Sequence, residues 1–331
     1  MSVVGIIANP ASGKDIRRLV AFGSVFDNLE KAHIVRRVLV GLAATGIRQV
    51  LLMPEWFGIG SRALEGLHLP LEVTFLEMEP SFTHEDSTNA ARLMRALGAR
   101  CLVTLGGDGT NRAVAKASAD VPLLPISTGT NNVFPSMVEG TIAGLAAGVV
   151  ARGALDLNGC LYRARRLEIE EDGRLVDIAL VDVAVCDELF VGARAIWDPA
   201  KVREVFLASV RPGILGLSAL GSALAGINPG SDGEGLWIRT GVGPYRVLAP
   251  ILPGVLAWVR VETFQPMRLG DVLPVHHQEG ILALDGEREI PIRPGVQYTV
   301  RLSDSGPWVV DVQKVLARAS QEGYFLARGR G

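Results

Sequence analysis

Over the first half of the chain, short apolar runs rich in β-branched residues alternate with longer stretches in which apolar positions recur every three or four residues. Residues 3–8, 49–53, 71–76, 101–105 and 123–126 read as strands, and residues 30–44, 86–97, 111–119 and 138–151 as helices. In the second helix Ala90, Leu93, Met94 and Leu97 stand at i, i+3, i+4 and i+7, which gives one face for burial. Strands alternating with helices predict a mostly parallel sheet covered on both sides. Ligands of such sheets gather at the carboxyl ends of the strands, where Asn9, Asp108 and Thr128 fall.

After Leu155 the pattern changes to short β-rich runs broken by Gly and Pro. Residues 162–170 and 175–185 flank Glu171-Asp172-Gly173-Arg174, whose Asp-Gly pair predicts a hairpin. Further strands are expected at 236–240, 245–248, 255–264, 280–284, 298–302 and 308–312, with a helix at 199–209. The predicted architecture is an α/β N-terminal domain over 1–153 and an all-β, sandwich-like domain over 154–312. Residues 313–331 form a C-terminal helix or tail that can pack back on the first domain. The 331 residues suffice for two such cores.

Composition narrows the partners. A net charge of -2 gives no electrostatic ground for nucleic acid or an anionic membrane as the main partner. The apolar stretches 213–227 and 248–259, the latter broken by Pro250 and Pro253, fall short of the roughly 20 residues that span a bilayer. The first residues lack the pattern of a signal peptide. Cys101, Cys160 and Cys186 are odd in number and far apart, which suits neither a disulfide framework nor a Cys-x-x-Cys metal site. A reducing cytoplasm is the expected location.

The chemistry concentrates at Leu105-Gly106-Gly107-Asp108-Gly109-Thr110, an apolar run ending in glycines around one carboxylate. The glycines permit positive φ and close backbone approach to a ligand, and Thr110 is placed to cap the following helix. An anion over this turn would meet free N–H groups and the positive helix end, while Asp108 suits a hydroxyl proton or a divalent cation. The other reading is a tight strand-to-helix turn with Asp108 as a solvated cap. Asn9-Pro10-Ala11-Ser12-Gly13-Lys14 offers phosphate contacts through Ser12, Gly13 and Lys14, but Asp15 stands where a P-loop has Ser or Thr. Ser127-Thr128-Gly129-Thr130-Asn131-Asn132 presents dense hydroxyls and amides, suited to a nucleotide or to an Asx-rich turn.

Thr83 and Asp86 fit either a nucleotide contact or a helix cap. Asp285-Gly286-Glu287 reads as a second carboxylate site or a hairpin turn. His276 and His277, adjacent on a strand, point to opposite faces and do not readily share an ion. Arg194 and Trp197-Asp198-Pro199 are further candidates for an acceptor pocket.

Together, Asn9-Pro-x-Ser-Gly-Lys, Gly-Gly-Asp-Gly-Thr at 106–110 and Gly-Thr-Asn-Asn at 129–132, followed by a β-rich half, resemble the superfamily of NAD kinases and diacylglycerol and sphingosine kinases. Gly106 to Ala115 and Gly129 to Pro135 look most like its ATP-NAD kinase-like members named for acetoin catabolism. The resemblance implies ATP as donor, Mg²⁺ as cofactor, a small-molecule or nucleotide acceptor and a homo-oligomer. It implies Asp108 or Glu287 as base, and Asp108, Asp285 and Glu287 as metal ligands. Asn9, Ser12, Gly13, Lys14, Thr83, Gly106, Gly107, Gly109, Thr110, Thr128, Gly129, Thr130, Asn131 and Asn132 would hold the nucleotide. NAD kinases carry Ala-Leu-Asn-Glu, where this chain has Ala179-Leu180-Val181-Asp182, and this departure points to an acceptor other than NAD. A peripheral lipid kinase and a catalytically silent nucleotide sensor are the alternatives.

Overall fold

The computed structural model describes residues 2–12, 26–129, 131–187, 198–225 and 234–326, without the side chains of Ala225 and Arg288. Gly13, Lys14, Thr130, Arg194 and Trp197 lie outside the described residues. The first part contains β1 (Val3–Ala8), α1 (Asn28–Ala44), β2 (Gln49–Leu52), α2 (Ile59–Leu64), β3 (Glu72–Phe75), α3 (Glu85–Ala96), β4 (Ala99–Gly106), α4 (Asp108–Ser118), β5 (Leu123–Ser127) and α5 (Gly140–Arg152). Strands β1 to β5 pair in parallel in the order β3-β2-β1-β4-β5. Neighbouring residues on these strands serve opposite faces. Ile6 and Val103 meet α1 and α5 residues such as Val38 and Ala147, while Ile7 and Leu102 meet Met94 of α3 and Val114 of α4.

The β-rich part begins with β6 (Leu161–Arg163), β7 (Arg166–Glu171), β8 (Arg174–Ala179), β9 (Asp182–Cys186), β10 (Val202–Leu207), α6 (Ser218–Ala225), β11 (Gly235–Leu252) and β12 (Val255–Met267). It continues through β13 (Val272–Pro274), β14 (Gly280–Leu284), β15 (Glu287–Ile292), β16 (Tyr298–Ser303) and β17 (Trp308–Val310) to α7 (Val312–Gln321). Two antiparallel sheets, β12-β11-β10-β9-β14-β15 and β13-β16-β7-β8, enclose a core that includes Leu167, Val183, Phe206, Leu282 and Val300. The mostly parallel sheet followed by antiparallel β-sheets is the fold class expected.

Two places differ from expectation. The helix expected at 199–209 is a short 3₁₀ turn, Pro199–Lys201, followed by β10, which lies between β9 and β11. Val202, Val205, Phe206 and Leu207 are all buried, and a strand covered on both faces loses the alternation that would mark it in sequence. The second difference is one of topology. β17 pairs in parallel with β5, and β6 pairs antiparallel with β17, so both complete the first sheet. Val315 and Ala319 of α7 then enter the core formed with α1 and α5.

Candidate active site

Strand β4 ends at Gly106, and Gly107 precedes α4 in an extended conformation with φ -99° and ψ -166°. None of Gly106, Gly107 and Gly109 takes a positive φ, contrary to the expectation from sequence. Their lack of a side chain answers a steric need instead. A Cβ on Gly106 would lie 2.5 Å from the Thr110 side chain, one on Gly107 2.7 Å from Asn132 Oδ1, and one on Gly109 3.1 Å from Glu287 Oε1. Thr110 is likewise not the cap: α4 starts two residues earlier, without a side-chain cap bond. Its hydroxyl accepts a 2.9 Å hydrogen bond from Asn9 Nδ2 and so ties the end of β1 to the first turn of α4.

Asp108 is the first residue of α4 and is nearly buried. Its carboxylate accepts from the amides of Val133, at 3.0 Å, and Phe134, at 2.7 Å, which fastens the loop after β5 over the helix end. Within that loop Ser127 donates to the carbonyl of Gly129 and Asn132 donates to Ser127. Thr128 Oγ1 lies 3.0 Å from Ser12 Oγ, which also donates to the carbonyl of Asn9. Asn9, Ser12, Asp108, Thr110, Thr128 and Asn132, separated in sequence, therefore converge at the carboxyl ends of β1, β4 and β5.

Sequence reasoning missed the group that holds the first of these loops. Lys31 is fully buried on α1, and its ammonium donates to the carbonyls of Asn9, at 2.9 Å, and Ser12, at 2.8 Å. The available signal was a lysine on the same helix face as Ile34, Val35 and Val38. Thr104 and Asn111 were missed too: Thr104 donates to Asn111, whose side-chain amide donates to the carbonyl of Gly107. Thr83 and Asp86 stand before α3 and in its first turn. Thr83 Oγ1 accepts from Glu85 N, and Asp86 accepts from the amides of Ser81 and Phe82.

The hairpin β14–β15 turns at Asp285 and Gly286, with φ values of 53° and 79°, as Asp-Gly predicts. Asp285, expected as a metal ligand, is engaged by groups of the protein. Its carboxylate is buried and accepts from the amides of Leu180, Val181 and Asp182, with the Arg112 guanidinium 3.7 Å away. Burial pushes its pKa up, against the lowering influence of Arg112 and these amides. Arg112 also pairs with Glu289 at 2.9 Å and Asp177 at 3.5 Å. Although burial opposes its charge, these carboxylates hold the guanidinium above its ordinary pKa. Glu287 rests on Gly109 and pairs with His84 Nε2 at 3.0 Å. His276 and His277 turn instead to Glu204, which accepts from both backbone amides and lies 3.0 Å from His276 Nδ1.

One cavity opens beside the Asn9 loop and another at Asp108. The first, of about 340 Å³, runs from Asn9 and Ala11 past Glu55 to Trp56, Phe82 and Thr83. The rings of Trp56 and Phe82 are 5.9 Å apart and largely exposed. The other is a narrow recess of about 40 Å³ between Asp108, Asn131 and the β-rich part, where Asp182, Gly216, Leu217 and Leu252 line it.

Residues 4–154 match the ATP-NAD kinase N-terminal domain and residues 165–305 the acetoin catabolism protein X C-terminal domain. The chain is 37% identical to Acetoin catabolism protein X of Cupriavidus necator over 335 residues, covering 96% of this chain and 92% of that protein. This chain belongs to the acetoin catabolism protein X family. A putative diacylglycerol kinase from Bacillus anthracis str. Sterne has a similar structure at a TM-score of 0.43 and 13% identity, covering 93% of this chain and 96% of that one. In this member of the acetoin catabolism protein X family, the loops around Asn9, Asp108 and Thr128 all belong to the kinase-type domain. Asp182, Asp285 and Glu287 come from the domain particular to the family. No helix among the described residues is long and apolar enough to cross a membrane.

Proposed function

We propose that this protein is an ATP-dependent phosphotransferase that places the γ-phosphoryl group on a hydroxyl of a small metabolite. The observation that carries this reading is the convergence of three polar loops on Asp108, at the end of a parallel sheet and the start of a helix. In an ATP-NAD kinase type of domain, such a junction suits a triphosphate. The cavity bounded by Trp56 and Phe82 has apolar ring faces for a nucleotide base, while Asn9 and Thr83 supply polar groups beside it. Gly107 lets the Asn132 side chain close on its backbone, where a Cβ would lie 2.7 Å from Oδ1, and so holds the loop after β5 against the start of α4.

Asp108 is placed to orient the acceptor hydroxyl or take its proton, with Glu287 on the neighbouring turn of the β-rich part. Asp108, Asp285 and Glu287 all carry hard oxygen donors of the kind Mg²⁺ prefers, Asp108 and Asp285 each also accepting from backbone amides and Asp285 lying beside Arg112. Bound there, Mg²⁺ would neutralise charge on the transferring phosphoryl group. Incubation of the purified protein with Mg·ATP and a metabolite extract, followed by mass spectrometry, tests the reading. A metabolite gaining one phosphate is expected. Failure to bind Mg·ATP overturns the proposal.

A further inference from the structure

The cavity beside the Asn9 loop presents ring faces, while the polar groups of its walls are engaged in holding the walls together. Pro10, Pro54 and Pro80 line it, and proline has no N–H to give. The amides of Ala11, Met53, Phe57 and Phe82, also in the lining, already donate to Asn9 Oδ1, the carbonyl of Ile6, Glu55 Oε2 and Asp86 Oδ2. Both carboxylates of the wall are turned to the main chain, since Glu55 also accepts from Ile59 and Asp86 from the amide and hydroxyl of Ser81. His84 directs Nε2 to Glu287. Thr83 contributes a hydroxyl, which rotates to donate or accept and so suits any base.

The backbone of Phe82 is a second observation. Its φ is 61°, in the left-handed region that a bulky side chain occupies only at a cost. Asp86 holds it there, accepting from Phe82 N at 2.9 Å and Ser81 N at 2.7 Å. The ring that results stands 5.9 Å from that of Trp56, and the two side chains are 70% and 73% exposed. Large rings kept open at a cavity form a stacking platform, which accepts any base because every base has a π face. The indole N–H of Trp56 lies in the plane of its ring, away from a base stacked on its face. Telling adenine from guanine requires a fixed partner for the amine of one or the carbonyl of the other, which stacking does not supply. Resting on the kinase reading above, we propose that this cavity grips the base of the phosphoryl donor by its faces and not by its edge. The protein then takes ATP and GTP alike and prefers both to a pyrimidine triphosphate. Asp86 is the positioning residue, setting Phe82 in place before the base arrives.

Calorimetry of the full chain with Mg·ATP, Mg·GTP, Mg·UTP and Mg·tripolyphosphate tests the assignment. ATP and GTP should bind within about fivefold of each other, and tripolyphosphate more weakly than either by at least about fivefold, the lower bound for stacking one base. UTP, with its smaller ring, should fall between. Trp56→Ala and Phe82→Ala remove largely exposed rings and so should fold as the parent does. Each should lower ATP and GTP affinity in the same proportion and leave tripolyphosphate binding unchanged. Asp86→Ala should reproduce that selective loss, which general destabilisation would not, and unaltered ATP affinity in it would take Asp86 out of this role. Failure of Mg·ATP to bind would defeat the kinase reading itself. In a protein that binds Mg·ATP, a preference between ATP and GTP beyond about fivefold, UTP binding equal to that of the purines, or ATP affinity that survives both ring variants overturns the proposal.

Discussion

Asp108 combines a packing duty with a proposed chemical one, because the same carboxylate that fastens Val133 and Phe134 faces the recess. An amide in its place can still accept from those N–H groups through its oxygen but carries no charge. Asp108→Asn should therefore lower phosphoryl transfer by about 10²- to 10⁴-fold, the usual loss of a general base, while thermal unfolding moves little. Wild-type turnover in the mutant would remove Asp108 from the reaction. Lys31 offers a second test at this scale. Lys31→Met would take the ammonium from the carbonyl of Ser12 and leave that of Asn9 with the Ser12 hydroxyl, a cost of about 1 to 3 kcal/mol for a group left unsatisfied. Mg·ATP affinity should fall together with stability in urea, since the loop that Lys31 holds borders the proposed nucleotide cavity.

Cys101 gives a signal in pH. Burial at the centre of β4 pushes its thiol up to about 12 from 9.0. Below pH 9 the thiol is neutral in both states and makes no pH-dependent difference. Between about 9 and 12 the unfolded chain ionises and the folded one does not, so stability falls as pH rises, by up to about 1.4 kcal/mol per unit. Replacing Cys101 with Ala should flatten that part of a stability profile measured by denaturant titration. An unchanged slope would mean that another group governs alkaline unfolding.

At the scale of elements, α1 and α5 meet through glycine. A Cβ on Gly144 would lie 2.2 Å from the carbonyl oxygen of Val38, and one on Gly41 2.4 Å from that of Thr141. Both obstacles are backbone, which cannot rotate aside. Gly144→Ala should separate the helices and cost about 1 to 3 kcal/mol despite the better helix propensity of alanine, as read from urea denaturation. Stabilisation by this change would contradict the close packing. The main elements around these helices were legible because their apolar positions repeat locally. β10 was not, since its burial on both faces depends on neighbours elsewhere in the chain, and α6 is short and apolar. The site was legible to the same extent. Gly106 to Thr110 and Thr128 to Asn132 are contiguous clusters, whereas Lys31 and Arg112 acquire their roles from residues brought together by the fold. Arg112 and Glu289, for example, are 177 positions apart.

Across the whole molecule, Arg112 joins α4 to the β-rich part through Asp177, Asp285 and Glu289. Removing the guanidinium leaves Asp285 buried beside an absent partner, a change that typically costs about 3 to 5 kcal/mol. Arg112→Met should therefore lower the melting temperature at neutral pH and loosen the register between Asp108 and Glu287. The sign of its pH dependence follows from burial: a raised folded-state pKa favours the neutral acid, so the mutant's deficit should shrink as pH falls and grow as it rises. Melting curves at pH 5 and pH 8 check this. A deficit that is the same at both would show that Asp285 does not titrate with the loss of Arg112.

The completion of the first sheet by β17 has a consequence for biosynthesis. When β5 leaves the ribosome, the strand that will cover its free edge is still to be made, because residues 308–310 follow the entire β-rich part. At about 5 to 20 residues per second, the nascent sheet waits on the order of ten seconds or longer with β5 open to other chains. A stop codon after α5 would make that exposure permanent, so the kinase-type half is poorly suited to life as a separate polypeptide. The β-rich half enters and leaves through the adjacent strands β6 and β17, and the first half finishes folding only after the β-rich half has been made.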